Sequence, residues 1–242
     1  MKIALISDIH SNLEALEAIL RDIEKEGVEK IHFLGDAVGY GSDPNKCVKL
    51  IAKHCDIKLL GNHDYAALGL ETLIGFNQVA KTSIEWTMTK LSRKSIEILA
   101  DFEMQSTYLD YFMVHASPGK PENWDYILNA EQAAEQFGTF SQSTCFVGHS
   151  HMPAIYIEDK NGTVKMQSKQ STELKSDNRY IINIGSVGQP RDNDPRACYL
   201  KVDTDIPKVE YKRVEYDISK TQAKMRNAML PDFLVERLAV GR

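Results

Sequence analysis

The chain opens with the stretch K-I-A-L-I-S-D-I-H, which runs from Lys2 to His10. A continuous apolar run of this length is typical of a β-strand that is covered on both faces. The run ends at Ser7, and a carboxylate and an imidazole follow at once in a D-x-H spacing. The pattern therefore predicts a buried strand, Lys2–Ser7, with Asp8 and His10 at its carboxyl end.

The next fifty residues alternate between helix and strand. Apolar residues recur at helical spacing over Leu13–Ile23, and Gly27 is placed to end that helix. Further apolar runs at Ile31–Leu34 and Ile57–Leu60 are separated by a helix that starts near Pro44. A β-α-β-α-β succession predicts a parallel sheet with right-handed crossovers.

The second half of the chain is rich in short strands. The predicted strands are Tyr111–Val114, Thr144–Val147, Tyr156–Ile157, Val164–Gln167, Arg179–Ile184, Ala197–Val202 and Val209–Tyr216. Residues 66–102 are helical in pattern instead, as is the tail 219–242, which Pro231 interrupts. We expect one domain over residues 1–242 with an α/β fold, in which helices flank two mixed β-sheets.

Composition and charge exclude several classes of protein. Of the 242 residues, 43% are hydrophobic, and 29 Lys and Arg residues stand against 34 Asp and Glu. The net charge of −5 argues against a broad basic face for duplex nucleic acid. No apolar run is long enough to span a membrane, and the first one is too short for a signal peptide. The four cysteines form no C-x-x-C pair, which favours reduced thiols and a cytoplasmic location.

Five predicted strands end in polar residues that are unusual for a protein core. These residues are Asp8, His10, Asp36, Asn62, His63, His115, His149 and His151. Because the carboxyl ends of strands form the ligand crevice of open α/β sheets, we expect these side chains to converge. Five of the seven histidines lie at such ends, which argues against incidental placement.

The donor types at these strand ends indicate a metal site. Carboxylate, amide and imidazole groups without thiolate suit Mn, Fe, Zn or Ni. Seven ligands with Asp36 shared make two sites of four ligands, and each leaves room for water. Two metals about 3.5–4 Å apart can clamp the attacking and leaving oxygens of an in-line phosphoryl displacement.

In their order, the motifs D-x-H, G-D, G-N-H-D, an isolated His after a strand, and G-H-x-H resemble those of the calcineurin-like metallophosphoesterase superfamily. The match runs from Asp8 to His151 and is most similar to the small prokaryotic phosphoesterases grouped with diadenosine tetraphosphatases. The resemblance implies a four-layer αββα sandwich with a helical insertion. It also implies a dinuclear centre, with Mn favoured, at which a metal-bridging hydroxide attacks a phosphate ester.

The resemblance assigns a role to each strand-end residue. It implies that the first metal is held by Asp8, His10, Asp36 and His151. It implies that the second metal is held by Asp36, Asn62, His115 and His149. His63 is implied to be a second-sphere histidine, which steadies the phosphate oxygens or protonates the leaving group.

One motif departs from the pattern of the superfamily's protein phosphatases, which carry G-D-x-V-D-R-G. This chain has Gly39 in place of the second Asp and Tyr40 in place of the Arg. In those phosphatases the Asp pairs with the catalytic histidine, and the Arg helps to hold the phosphate. Asp64 is the candidate replacement for the missing Asp.

Substrate contacts are expected from a different part of the chain. The Gly- and Pro-rich segment Asn183–Arg191 is either a structural turn or a loop whose N–H groups or Arg191 contact phosphate. Arg196 is the next candidate. Tyr40 could stack on a nucleobase, as could Tyr65, Trp86 and Trp124, although aromatic residues of this kind more often belong to the core.

We therefore expect a metal-dependent phosphoesterase that acts on a phosphorylated small molecule or a nucleotide. A phosphodiesterase or nuclease of the same superfamily is the alternative among enzymes. A metal-holding regulatory or scaffold protein with little turnover is the alternative from another class, and its usual mark is a missing ligand. The helical stretch 66–102 either packs beside the site and shapes substrate access or forms a plain peripheral layer.

Overall fold

The computed structural model describes all 242 residues. The strands are β1 (Lys2–Ile6), β2 (Lys30–Phe33), β3 (Ile57–Lys58), β4 (Gln105–Tyr108), β5 (Tyr111–Val114), β6 (Thr144–Val147), β7 (Ala154–Glu158), β8 (Val164–Gln167), β9 (Ser171–Glu173), β10 (Arg179–Asn183), β11 (Ala197–Asp203) and β12 (Lys208–Val214). The α-helices are α1 (Leu13–Lys25), α2 (Pro44–His54), α3 (Asn62–Ala67), α4 (Gln78–Lys90), α5 (Arg93–Ala100), α6 (Ala130–Gln136), α7 (Ile218–Asn227) and α8 (Asp232–Arg237).

The twelve strands form two sheets of six. The first sheet has the order β3-β2-β1-β11-β12-β9, and the second has the order β4-β5-β6-β10-β7-β8. Both sheets are mixed: β1, β2 and β3 are parallel to one another, as are β5, β6 and β10, while their other neighbours are antiparallel. The expected α/β sandwich of two mixed sheets flanked by helices is confirmed.

The alternation of side chains along β1 shows how the layers are built. Ile3 and Leu5 belong to an apolar cluster between the two sheets, which also contains Phe146 of β6. Ala4 and Ile6 belong to a second cluster, which includes the buried faces of α1 and α2. Since successive side chains of a strand point to opposite faces, β1 is buried on both sides, as its apolar run predicts.

Local structure differs from the sequence-based expectation in three places. The strand β3 is only two residues long, although the apolar run Ile57–Leu60 predicts four, and a helix that was not predicted, α3, begins at Asn62. The edge strands β4 and β9 were not predicted. Both have alternately exposed residues and few apolar side chains, so they carry no clear hydrophobic signal.

The helices of residues 66–102 pack into two different apolar clusters. Leu99 of α5 joins the cluster of α1 and α2, whereas Ala80 of α4 packs with Tyr40 and with the tail helices α7 and α8. The tail is broken at Pro231, as the sequence predicts. None of the helices has the length and the apolar character that crossing a bilayer requires.

His32 on β2 is a buried polar residue outside the strand-end group. Its side chain is 1% exposed, and neither ring nitrogen has a hydrogen-bond partner. The ring packs edge-on against Tyr108 of β4, with 5.0 Å between the centroids. Burial lowers the pKa of His32 to about 4, so the imidazole is neutral at pH 7.

We predict that His32→Leu raises the free energy of unfolding at pH 7, because a buried polar group without a partner costs ~1–3 kcal/mol. Between pH 6.5 and about 4, unfolded chains bind a proton on His32 that folded chains exclude. The advantage of the variant should therefore grow as the pH falls, by up to about 3 kcal/mol. Urea unfolding of both proteins across this range measures the difference, with His54→Leu at an exposed position as the control. An advantage that does not change with pH would contradict the prediction.

Candidate metal centre

Four of the predicted ligands form one buried cluster. Asp8, His10, Asp36 and His151 each contribute one donor atom, and these four atoms lie within 4.8 Å of one another. Nε2 of His151 is 3.1 Å from Nε2 of His10 and 3.2 Å from Oδ1 of Asp8. The elements β1, β2 and β6 deliver these side chains from their carboxyl ends, so both sheets contribute to the cluster.

The tautomers of three imidazoles follow from their backbone partners. Nδ1 of His10 donates to the carbonyl of Val38 at 3.1 Å. Nδ1 of His115 donates to the carbonyl of Leu34 at 2.7 Å, and Nδ1 of His151 donates to that of Gln189 at 2.6 Å. A carbonyl can only accept, so Nδ1 carries a hydrogen, and in the neutral ring Nε2 presents a lone pair to the cluster. Two lone pairs 3.1 Å apart repel each other unless a cation lies between them.

The other predicted ligands adjoin this cluster. Oδ2 of Asp36 lies 3.5 Å from Nε2 of His10 and 3.4 Å from Nε2 of His115, so one carboxylate oxygen stands between two groups of donors. The rings of His115 and His149 have centroids 5.2 Å apart. Asn62 is the first residue of α3, and its side-chain oxygen is buried.

The donor set fits divalent metal ions. Four buried atoms of these residues have no hydrogen-bond partner, namely Asp8 Oδ1, Asn62 Oδ1, His115 Nε2 and His149 Nε2. Buried polar atoms without partners are costly, and coordinate bonds would satisfy them. The set combines hard oxygens with imidazole nitrogens and contains no thiolate, which is the preference of Mn, Fe, Zn and Ni.

The electrostatics of the cluster favour a bound cation. Burial alone would raise the pKa of Asp36, yet the nearby His115 and His63 hold it well below its ordinary value. Burial would likewise lower the pKa of His115, but Asp36 and Asp8 raise it to about 9. Buried carboxylates thus remain ionised only with positive charge beside them, which a protonated imidazole or a metal ion can supply.

Left-handed backbone conformation is concentrated at the predicted ligands. Five predicted ligands, all except Asn62 and His115, have φ between 49° and 66°: Asp8, His10, Asp36, His149 and His151. Left-handed backbone is uncommon for residues other than glycine, and it clusters at functional sites. It arises here because the chain turns sharply as it leaves each strand, which aims the side chain into the space between the sheets.

Asp64 does not replace the missing partner of His63, contrary to the expectation from sequence. Its carboxylate accepts hydrogen bonds from the backbone N–H groups of Ala37, Val38 and Gly61 at 3.0–3.2 Å. Nδ1 of His63 is buried and has no partner, and burial lowers the pKa of this imidazole to about 4. Asp64 therefore holds two loops of the site together instead of orienting His63.

Gly39 explains why no carboxylate stands beside His63. Its φ is +89°, and a Cβ added at this position would lie 2.4 Å from Nδ1 of His63. The imidazole occupies the space that a side chain at position 39 would need. The rings of Tyr40 and Phe76 enclose it from other directions, at 4.5 and 5.5 Å between centroids.

Of the two candidate arginines, the structure brings only Arg191 to the cluster. Its N–H donates to the carbonyl of His151, and its guanidinium contacts Tyr40 Oη at 3.4 Å and Gln189 Oε1 at 3.3 Å. Nε of Arg191 is buried without a partner. Arg196 is exposed and bound to the carboxylate of Asp194 through two nitrogens.

The sequence does not identify two further residues that contact the predicted ligands or their loop. The Asn183 side chain donates to the carbonyl of Gly148 and to Ser150 Oγ, so it holds the loop that carries His149. Its place at the end of β10 is the same signal that marks the ligands. Tyr126 stacks on His149 with 4.0 Å between centroids, and no pattern in its loop indicates this contact.

Residues 66–102 contact the site directly. Phe76 packs against His63, and Ser83 Oγ of α4 accepts a hydrogen bond from the N–H of Tyr40 at 3.1 Å. Ahead of both residues in the chain, Glu71 accepts a hydrogen bond from the indole N–H of Trp124. The helical stretch is therefore part of the wall around the cluster.

Known proteins are similar to this chain in sequence and in fold. A family model, the calcineurin-like phosphoesterase superfamily domain, matches residues 1–205. An uncharacterized protein of Methanocaldococcus jannaschii is 41% identical over 244 residues, which cover 99% of this chain and 98% of the relative. A metallophosphoesterase from Sphaerobacter thermophilus is 43% identical and superposes with a TM-score of 0.88 over 100% of this chain and 99% of its own.

A hypothetical protein of Pyrococcus horikoshii is 20% identical and shares the fold, with a TM-score of 0.77 over 100% of this chain and 98% of its own. The matched residues 1–205 include every strand end that carries a donor atom. With its buried cluster of two aspartates and two histidines that can hold a metal ion, this chain belongs to the calcineurin-like metallophosphoesterase superfamily.

Proposed function

We propose that the protein is a metal-dependent hydrolase of phosphate esters with a dinuclear centre, most simply loaded with Mn. The observation that carries the proposal is that Oδ2 of Asp36 lies within 3.5 Å of Nε2 of both His10 and His115. The predicted ligands also include four buried atoms without hydrogen-bond partners. Asp8, His10, Asp36 and His151 would hold one ion, and Asp36, Asn62, His115 and His149 the other. Two bound cations would supply Lewis acidity at the phosphoryl oxygens and acidify a water for in-line attack on phosphorus.

The protein's own residues orient the ligands and exclude water. Hydrogen bonds from Nδ1 to backbone carbonyls fix the imidazoles of His10, His115 and His151. The N–H of His63 donates to Oδ1 of Asp36 at 2.9 Å, which leaves Oδ2 free to face the donors on both sides. These partners set the geometry before any ion binds.

His63 would act as a hydrogen-bond donor to the phosphate. No carboxylate pairs with its ring, and no backbone carbonyl accepts from Nδ1, so the imidazole is free to donate toward a bound anion. A neutral N–H aimed at developing negative charge stabilises the transition state without a net proton transfer. The enclosing rings of Tyr40 and Phe76 hold the imidazole in place.

Arg191 would bind the phosphate oxygens that the metals leave free. Its guanidinium has neutral partners only, Tyr40 and Gln189, so its charge is available to an anion. Tyr40 would thus help to position Arg191, in place of the stacking on a nucleobase that was considered from the sequence. Arg196 is left out of this contact because Asp194 neutralises it.

The substrate would be a phosphorylated small molecule or a nucleotide. The net charge of −5 disfavours an extended contact with duplex nucleic acid. All four cysteines are buried and unpaired, which fits a reducing compartment, so we place the protein in the cytoplasm.

Hydrolysis of bis-p-nitrophenyl phosphate and p-nitrophenyl phosphate tests the proposal directly. Activity that a chelator abolishes and Mn²⁺ restores would support it. Metal-loaded protein that turns over neither ester would favour the metal-holding scaffold instead.

We predict that Asp36→Asn loses at least ~100-fold in kcat/KM and binds both metals more weakly, since one charge serves both sites. The amide keeps an oxygen that can accept from the N–H of His63, so the fold should be retained. Metal content after dialysis, measured by elemental analysis, and esterase activity are compared with those of Asp56→Asn, an exposed control. Retention of two ions with near-normal turnover would refute the bridging role.

We predict that His63→Ala retains its two metals and loses ~10²–10³-fold in kcat, because a donor to the developing charge is removed. His63→Gln, which keeps an N–H donor, should recover part of the loss. The loss should be similar for aryl and alkyl phosphate esters, since a hydrogen-bond donor acts on the phosphoryl oxygens in both. A much smaller loss for the aryl ester would indicate proton donation to the leaving group.

We predict that Arg191→Met raises KM by about 10- to 100-fold with both metals retained, because a charge-assisted contact to phosphate is lost. Arg196→Met, whose charge is neutralised by Asp194, serves as the matched control and should change KM little. An unchanged KM in Arg191→Met would exclude this contact.

A further inference from the structure

A cavity of about 730 Å³ opens beside the metal cluster. Its wall includes Ser150, which lies between the ligands His149 and His151, and Met152, which follows them. Arg191 lines the same cavity, and its N–H is bonded to the carbonyl of His151. No proposed ligand lines the cavity, but the guanidinium of Arg191 contacts Tyr40 Oη at 3.4 Å, and the ring of Tyr40 lies 4.4 Å from that of His10 between centroids. Arg191 therefore links the cavity to the cluster.

The cavity has an apolar part. This part is formed by Ile127, Leu128, Met152, Pro153 and Met166. Leu128, Met152 and Met166 are each more than 40% exposed, so these apolar surfaces face open space. The floor is rigid, because Tyr156 and Tyr211 are buried and their hydroxyls donate to backbone carbonyls. Concave, largely pre-formed sites of ~300–1,000 Å³ with a few polar groups are typical of small-molecule binding.

The cavity also has a cationic part, in which two charges are available. Arg196, Lys212 and Arg213 line it but are paired with Asp194, Glu26 and Asp192. Lys169 lines it without an ion pair, and Arg191 has neutral partners only. Nε of Arg191 is buried and unpartnered, which points to an anionic ligand at the junction of cavity and cluster.

We propose that this cavity binds the organic group of the substrate that lies beyond the scissile phosphate. The inference rests on the proposed phosphoesterase function and deepens it. The substrate class is a phosphodiester with an apolar segment long enough to reach across the methionines, followed by a second anionic group that pairs with Lys169. A phosphomonoester of a small alcohol leaves the cavity unfilled.

Three p-nitrophenyl phosphodiesters test this proposal, with methyl, hexyl or 5-carboxypentyl as the second ester group. We expect KM to fall by at least about 10-fold from methyl to hexyl, since burying methylene groups against apolar surface is favourable, and to fall further for carboxypentyl. The metal-loaded full chain is used throughout, and release of p-nitrophenolate is the readout.

Two pairs of variants locate the effect. Lys169→Gln should reduce the advantage of carboxypentyl over hexyl by about 10-fold, while Lys165→Gln, on the same segment but outside the cavity, should preserve it. Met166→Gln should reduce the advantage of hexyl over methyl, with the exposed Met229→Gln as its control.

The outcomes separate this proposal from the proposed function. Equal KM values for the three diesters would overturn the cavity assignment and leave the phosphoesterase intact. Absence of turnover on all three and on p-nitrophenyl phosphate would count against the phosphoesterase. Turnover of p-nitrophenyl phosphate alone would overturn the phosphodiester substrate class and leave the phosphoesterase intact. Calorimetry with 6-phosphonohexanoate and methylphosphonate then tests the cavity by itself, and equal affinities for the two would overturn it.

Discussion

The two buried carboxylates of Asp8 and Asp36 are the constraint on which the site depends. In each carboxylate, one oxygen accepts a hydrogen bond from a backbone N–H group and the other faces the cluster. Oδ2 of Asp8 accepts from the N–H of His149, which joins the first sheet to a loop of the second, while Oδ1 has no partner. Oδ1 of Asp36 accepts from the N–H of His63, while Oδ2 faces His10 and His115. The same ionised groups thus hold the sheet edges together and favour positive charge beside them.

The architecture and most of the site follow from simple sequence patterns. Buried strands such as Lys2–Ile6 give continuous apolar runs, and the polar residues that end these runs are conspicuous because a core would exclude them. Arrangements that leave no periodic pattern of apolar residues could not be predicted from the sequence. The helix at Asn62, the edge strand Ser171–Glu173 and the stacking of Tyr126 on His149 depend on tertiary contacts of short or exposed segments.

Gly39 and Tyr40, which stand where the superfamily's protein phosphatases have Asp and Arg, both contact His63. Without a side chain at position 39, His63 can move into the vacated space, and the ring of Tyr40 packs against it. Tyr40 in turn contacts Arg191, which comes from a different loop. A positive charge therefore stands near the cluster although the motif has lost its arginine. Asp64 is next to His63 in sequence, but three backbone N–H groups already use its oxygens.

The left-handed backbone of five predicted ligands has a consequence for how the protein would acquire metals. Each such residue costs of order 1–3 kcal/mol of conformational strain, which only the surrounding sheets can sustain. The donors are consequently aligned by the fold itself and not gathered by the ions, unlike small domains that are unfolded without metal. With metals bound as proposed, loading would be a late event on a finished scaffold, and an ion at the centre could be exchanged without unfolding the chain.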